Sequence, residues 1–470
     1  MPENKKLFGT SGIRGKVKDE VTANLTLNVG KALATYLNNK EEGKKDVVLG
    51  YDTRTTNQML ENAITAGLLE SGCNVLKIGM VPTPLVGYAV DKLNASAGVM
   101  LTASHNPSPY NGIKVWNKNG MAYTPSQEDE IEKIYYSEKF NNAGWDNIGE
   151  IHHIEEIKQK YMEDLLSVVD TEAIKKAKLK VILDSASGAG SEISPLVIRM
   201  AGCEITTLNS QVDGFFPGRN PEPNETNLQT LMNVVANSDA DIGIAHDGDA
   251  DRMMAIDENG RISDFDKLLA IISKHMIEVS QEKSEDSANK KIITTVDAGL
   301  AMDESVKEVG GEIIRTMVGD VAVADVIIKE NAVFGGEPSG TWLHPDFCMC
   351  PDGLLSALRI IEVVAKKGKL SKLLDDIPDY ISIREKITCS KEAKIKVMEN
   401  MEELLIAAFD DVAEINNIDG VRITFEDGSW ILVRPSGTED YVRITLESKT
   451  PERAEFIKDT AVKIINENLD

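Results

Sequence analysis

DVVLGYDTRTTNQMLENAITAGLLESGCNVLKIG, from Asp46 to Gly79, decides the fold. An apolar run reaches Asp52, a small and polar turn follows, and an amphipathic stretch leads to Gly72 before a second apolar run begins. That order is a strand–helix–strand unit. The same grammar returns in KLKVILDSASGAGSEISPLVIRMAGCEITTLN, Lys178 to Asn209, with Asp184 and Gly202 at the matching places. It returns again in KIITTVDAGLAMDESVKEVGGEIIRTMVGD, Lys291 to Asp320, with Asp297 and Gly310. Recurrence of this kind predicts tandem related α/β domains rather than one large sheet.

The C-terminal stretch differs. Ser390 can cap a helix through KEAKIKVMENMEELLIAAF. VRITFE and SWILVR flank Asp427-Gly428, a pair suited to the primed turn that joins two twisted strands, so a hairpin is predicted there. YVRITLES alternates as a third strand, and Thr450-Pro451 opens a last helix. These make an α+β domain with an antiparallel sheet. Polar, charged stretches lie at SQEDEIEK (126–133) and QEKSEDSANKK (281–291), the second read as a loop inside the third unit. The helix KQKYMEDLLSVVD carries the chain from the first unit to the second. Four domains are expected, at 1–157, 158–258, 259–372 and 373–470.

Length alone predicts fewer, since 470 residues at roughly 100–200 per domain suggest about three. A hydrophobic fraction of 42% is enough for packed cores and excludes a mainly disordered chain. The net charge of −25 and pI near 4.8 argue against nucleic acid or an anionic membrane as partner. An anionic small molecule stays open, because charge is largely screened beyond about 8 Å and only a local cationic cluster matters to it. Five cysteines, with Cys348 and Cys350 as an isolated C-x-C, read as reduced thiols. No signal-peptide run follows the first Met, and no stretch approaches the roughly 18 apolar residues of a membrane span. A cytoplasmic, reducing location is expected.

Several loops carry residues suited to chemistry. HDGDADR, His246 to Arg252, lies between the apolar runs ADIGIA and MMAID. Asp247, Asp249 and Asp251 repel one another there unless a cation sits among them, and oxygen-only ligands favour a hard divalent ion such as Mg²⁺. A calcium EF-hand fails, because Arg252 stands where its loop needs Gly and the flanks read as strands. LTASHNPSPYNGIKVW, Leu101 to Trp116, puts Ser104 on a tight turn with His105 and Lys114 near it. It is not the G-x-S-x-G elbow of a hydrolase. LFGTSGIRG, Leu7 to Gly15, offers Arg14 on a glycine-rich loop but lacks the P-loop spacing. SGAG at 187–190 is a strand-to-helix turn rather than a dinucleotide fingerprint. RPSGTED, Arg434 to Asp440, gives an inter-strand loop a guanidinium, hydroxyls and open N–H groups, the parts of a phosphate clamp. GGEPSGTW, Gly335 to Trp342, sets Glu337 and Ser339 where they could bind a polyol.

Taken in order, TSGIRG, TASHNP with NGIK, DGDADR, GEPSG and RPSGTE resemble the α-D-phosphohexomutase superfamily, the phosphoglucomutase, phosphomannomutase and phosphoglucosamine mutase enzymes. The motifs run from residue 10 to 439 and so cover essentially the whole chain. The resemblance implies an α/β chain of three tandem related domains with mixed sheets plus a C-terminal α+β domain, around a central cleft. It implies that Ser104 carries a phosphoryl group and that Asp247, Asp249 and Asp251, with a phosphoserine oxygen of Ser104, hold one Mg²⁺. Arg14 and Arg252 would flank that phosphate, and His105 and Lys114 would move protons. Glu337 and Ser339 would contact the sugar, and Arg434, Ser436, Gly437 and Thr438 would grip the phosphate not being transferred. The reaction implied interconverts a hexose or hexosamine 6-phosphate and its 1-phosphate through a hexose 1,6-bisphosphate.

One departure stands out. Family loops of the GEMSGH or GEQSGH type carry His after the second Gly, where this chain has Thr341-Trp342 and its next His at His344. The GEPSGTW form is most similar to archaeal-type phosphoglucosamine mutases, which puts glucosamine phosphate ahead of glucose or mannose phosphate as substrate. A sugar-phosphate phosphatase would share the metal and phosphate loops without needing Ser104 and a distant clamp together. An inactive binding protein would be expected to have lost part of the set.

Overall fold

The computed structural model describes residues 6–9, 11–40, 42–43, 45–283, 289–436 and 440–469. They group into two compact units, Met1–Phe265 with Ser339–Leu373, and Asp266–Pro338 with Leu374–Asp470.

The first repeat forms a six-stranded sheet in the order Ile13–Lys16, Tyr110–Asn117, Ala97–Leu101, Lys45–Tyr51, Cys73–Met80 and Ile151–His153. The last four strands are parallel, Tyr110–Asn117 joins them antiparallel, and Ile13–Lys16 pairs antiparallel with Tyr110–Asn117 in turn. Helix Asn57–Glu70 is the crossover read from the sequence, and its Leu60, Ile64 and Leu68 pack with Val47, Leu49, Val75 and Val99. Parallel strands covered on both faces have no solvent side, which is why all five residues of Ala97–Leu101 are buried.

The second repeat gives a four-stranded sheet, Met253–Ile256, Ile242–His246, Lys180–Asp184 and Glu204–Leu208, with only the first pair antiparallel. Its crossover helix Ser194–Ala201 stops at Gly202, whose φ of 109° ends the helix without the strain a side chain would add. The same unit holds the hairpin of Trp342–His344 and Cys348–Pro351 and helix Gly353–Lys367. Asp352 caps that helix, accepting from the Leu354 and Leu355 amides at 2.9 Å each.

In the other unit the third repeat supplies parallel strands Glu312–Thr316, Lys291–Thr295 and Phe334–Gly336. Strand Lys291–Thr295 ends before Asp297, whereas Asp184 lies within its strand. The C-terminal residues build a five-stranded antiparallel sheet ordered Ile381–Thr388, Tyr441–Ser448, Trp430–Pro435, Val421–Phe425 and Val412–Asn416. The hairpin across Asp427-Gly428, the strand at Tyr441 and the last helix, Pro451–Glu467, are where the sequence put them. The outer strands Ile381–Thr388 and Val412–Asn416 are additional, and the helix capped by Ser390 breaks at Asn400 into Lys391–Glu399 and Met401–Ala408.

The charged stretch 126–133 lies inside helix Pro125–Ser137, opened by a reciprocal capping box between Thr124 and Gln127. Helix Phe265–Lys283 runs into the other charged stretch, and residues 284–288 of it lie outside the described residues. Among the described residues no helix is long and apolar enough to cross a membrane.

Candidate active site

In an open α/β sheet, the loops at the carboxyl ends of the parallel strands form the ligand crevice. Ser104 follows strand Ala97–Leu101 and Asp247 follows strand Ile242–His246, so the two strongest sequence motifs leave their sheets at such ends. The fold brings them into contact. The Ser104 hydroxyl donates to Asp247 Oδ2 at 2.7 Å and lies 3.2 Å from His105 Nδ1. Ser104 is buried and sits at a φ of 48°, a left-handed conformation that a non-glycine residue holds only when its surroundings fix it.

Close approach of the two loops depends on Gly248. A Cβ there would lie 2.6 Å from the Ser104 carbonyl oxygen, and the Gly248 carbonyl would in turn meet a Cβ on Gly188 at 2.4 Å. The small residues between the acids therefore do more than let the backbone curl. They let the acidic loop lie against the serine loop.

Asp247, Asp249 and Asp251 are all buried and each offers an oxygen within 4.8 Å of the others. Lys114 Nζ donates to Asp249 Oδ2 at 2.9 Å and to Asp251 Oδ2 at 2.7 Å. Thr83 adds its hydroxyl to Asp249 Oδ2 at 2.6 Å. Asp249 Oδ1 and Asp251 Oδ1 are buried and accept no hydrogen bond. Buried carboxylate oxygens without a hydrogen bond are costly, and two of them beside a third acid are the donor set a hard divalent cation takes, even with Arg252 Nε 3.9 Å from Asp251 Oδ1. The residues thus fit a Mg²⁺-like ion.

The electrostatics follow from this crowding. Burial, then repulsion from Asp251 and Asp249, holds the Asp247 carboxyl well above the usual range. Burial opposes the charges of Lys114 and Asp249, yet their attraction wins: the ammonium is held above its ordinary range and the carboxylate below. Burial, reinforced by Arg252 and Arg14, pushes the His105 imidazole down to about 3, so it is neutral at pH 7. Burial also lowers Arg14 despite the pull of Asp249 and Asp251, while its Nη1 donates to Asn106 Oδ1 at 2.9 Å. Arg252 pairs with Glu222 at 3.4 Å and forms a backbone bridge with Thr341.

One unit therefore gathers Arg14, Ser104, His105, Lys114, the three acids and Arg252, and it also contains Ser339, whose hydroxyl donates to Thr341 Oγ1 at 3.2 Å. The other unit contains Glu337, Arg434 and Ser436. There Glu337 Oε1 accepts from the Gly319 amide at 2.6 Å, Arg434 pairs with Asp419 at 2.9 Å, and the Ser436 carbonyl accepts from Lys394 at 2.7 Å. Gly437 and Thr438 lie outside the described residues. His344 is fully buried beside Ser356 Oγ at 3.0 Å, so it is part of a packed core rather than an exposed replacement for the absent loop His.

Sequence reasoning missed Arg54, Thr83, Arg219 and Glu222. Thr83 and Glu222 touch Asp249, His105 and Arg252 across long separations and carry no local signal. Arg54 had one, standing two positions after the strand-end Asp52 that it pairs with at 3.0 Å, whereas Arg219 pairs with Asp184 at 2.9 Å from 35 positions away.

Profiles of the phosphoglucomutase/phosphomannomutase family match the chain in series. The α/β/α domain I matches residues 5–142, domain II 159–260, domain III 264–380 and the C-terminal domain 392–464. A protein of Methanobrevibacter smithii named "probable phosphoglucosamine mutase" is 66% identical over 99% of this chain and 99% of its own. A protein of Methanococcus maripaludis named phosphoglucosamine mutase is 46% identical over 99% of both. A crystal structure of a phosphoglucomutase/phosphomannomutase family protein from Burkholderia thailandensis superposes with a TM-score of 0.86 at 26% identity, covering 98% of this chain and 97% of that one. With four domain profiles in order and relatives matched from end to end, the chain belongs to the phosphoglucomutase/phosphomannomutase family.

Proposed function

We propose that this chain is a phosphoglucosamine mutase, an intramolecular phosphotransferase that interconverts hexosamine 6-phosphate and hexosamine 1-phosphate. The observation that carries the reading is the buried Ser104 hydroxyl, held 2.7 Å from Asp247 inside a three-carboxylate cluster with Lys114 among the acids. The names of the full-length relatives support the substrate.

Ser104 Oγ carries the phosphoryl group in the working enzyme. The free hydroxyl of the sugar phosphate attacks phosphorus, its O–P bond forming as the Oγ–P bond breaks, which leaves a 1,6-bisphosphate. Reversal with the other phosphate returns a phosphoryl group to Ser104 and releases the isomer. Such transfer needs positioning and charge neutralisation more than covalent activation. Arg14 and Arg252 flank the transferring group. Lys114 stays an ammonium against Asp249 and Asp251, so the attacking proton goes to neutral His105. A phosphate dianion on Ser104 offsets the part of this depression that the neighbouring cations add to burial, and so raises the proton affinity of the imidazole. Asp247, Asp249 and Asp251, with an oxygen on Ser104, would hold Mg²⁺, which when bound offsets charge on the phosphoryl group. Glu337 and Ser339 serve the sugar hydroxyls, and Arg434, Ser436, Gly437 and Thr438 hold the phosphate that is not moving.

The test is a parallel assay with glucosamine, glucose and mannose 6-phosphates, with Mg²⁺ and glucose 1,6-bisphosphate present. The reading predicts the highest kcat/KM for glucosamine phosphate. Release of inorganic phosphate faster than isomerisation, or no turnover of any of the three, would overturn it.

A further inference from the structure

Each of the three repeats has an Asp at or just beyond the end of its first strand, and the chemistry above uses none of them. In the first repeat Asp52 is buried with Arg54, both side chains being 0% exposed. Burying such a pair brings little net stability, so its geometry asks for another account. Arg54 Nε donates to Asp52 Oδ2 at 3.0 Å, which aims the guanidinium. The rest of the fork converges on one loop. Nη1 donates to the Pro107 carbonyl at 2.8 Å and the Tyr110 carbonyl at 2.9 Å. Nη2 donates to the Ser104 carbonyl at 2.9 Å and the Asn106 carbonyl at 2.6 Å.

Four carbonyls of the serine loop thus point at one cation, an arrangement in which they would repel one another without it. Asp52 grips the loop by a second route. Its Oδ2 accepts from Thr102 Oγ1 at 2.7 Å, and Thr102 Oγ1 accepts from the Ser104 amide at 2.8 Å. The peptide groups on both sides of Ser104 are therefore held from the Asp52–Arg54 pair, across the left-handed residue that carries the hydroxyl. Behind the guanidinium stands the ring of Phe216, 5.0 Å away, from the second repeat.

The device occurs twice. Asp184 orients Arg219, whose Nη2 donates to the His246 carbonyl at 2.6 Å and whose Nη1 donates to the Pro221 carbonyl at 3.2 Å. His246 immediately precedes the first acid of the metal loop. In both repeats a strand-end carboxylate aims an arginine whose other N–H groups hold a functional loop.

We infer that Arg54 is the positioning residue of the phosphoryl-accepting serine, setting the Ser104 peptide so that Oγ faces the acidic cluster. It touches neither substrate nor the transferring group. The inference rests on the mutase reading for its kinetic arm, and an exchange arm needs no substrate.

The experiment compares wild type, Arg54→Lys and Arg54→Ala. Lysine keeps the charge beside Asp52 but cannot reproduce the fork. In both variants kcat should fall on the order of 100-fold, as expected for a reacting atom displaced by about 1 Å, while KM stays within about threefold. Millimolar guanidinium should restore part of kcat to Arg54→Ala and none to Ser104→Ala. Hydrogen–deuterium exchange should speed up in the 102–112 peptide of both variants and little elsewhere. Unchanged exchange in that peptide, or a kcat close to wild type, overturns the inference. Loss of a cooperative melt in Arg54→Lys as well would make the residue a folding determinant only, and also overturns it. A wild type without turnover counts against the proposed function, and the exchange result then decides this inference alone.

Discussion

Replacing Lys114 with Met removes one charge and keeps most of the packing of the stem. In the protein the ammonium serves Asp249 and Asp251 together, with the side chain 9% exposed and Asp249 fully enclosed. Removing one partner of a buried pair typically costs about 3–5 kcal/mol, because the other charge stays behind unpaired. Here two stay behind, beside a third acid. The loss is bounded by proton uptake. Without the ammonium that lowers it, the Asp249 carboxyl titrates at higher pH, so the destabilisation should grow as pH rises through that range and shrink below it. A divalent cation changes the balance, since it can take over the charges Lys114 neutralised and no longer competes with an ammonium. Urea unfolding of wild type and Lys114→Met, in EDTA and in saturating Mg²⁺, measures both effects. The variant should be about 3–5 kcal/mol less stable in EDTA, and Mg²⁺ should stabilise it by more than it stabilises wild type. Equal stability in EDTA, or an equal Mg²⁺ increment in both proteins, would refute the reasoning.

Gly248→Ala places a Cβ 2.6 Å from the Ser104 carbonyl and should cut turnover by at least tenfold, on the order of 1.4 kcal/mol of barrier, with a wild-type circular dichroism spectrum. Kinetics at saturating substrate check this. Asp352→Asn keeps an N-cap on helix Gly353–Lys367 but removes a carboxyl that burial pushes up from 3.8 to about 6. The folded state holds that proton where the unfolded state has lost it, so Asp352 makes stability fall as pH rises from about 4 to 6, by about 3 kcal/mol in all. The Asn variant should show a flatter profile over that window in denaturant titrations. Gly188→Ala, whose Cβ would lie 2.4 Å from the Gly248 carbonyl, should mimic Gly248→Ala in turnover without touching the serine loop itself.

Periodicity made the repeats legible. Strand, crossover and strand sit within a few dozen residues of one another, and strands covered on both faces read as unbroken apolar runs. The same reasoning missed Ile381–Thr388 because that outer strand is mostly exposed and interrupted by Arg384, Glu385 and Lys386. It missed Val412–Asn416, an outer strand with an irregular register and exposed residues at its centre. The serine, the acids and Lys114 announced themselves by residue type. Thr83 reaches Asp249 across 166 positions and Arg54 reaches Ser104 across 50, and tertiary pairings of that span leave no local trace. The recurring Asp at the strand end was visible throughout, but its arginine partner lies two positions away in one repeat and 35 in the next.

The central claim is that Ser104 itself passes the phosphoryl group. Incubating the protein with ³²P-labelled glucose 1,6-bisphosphate and Mg²⁺, then mapping the label by peptide mass spectrometry, tests it most directly. The account predicts label on Ser104 that is chased into hexosamine phosphate when unlabelled glucosamine 6-phosphate is added, and none in folded Ser104→Ala. Label on another residue, or isomerisation by Ser104→Ala at a rate near wild type, would contradict it.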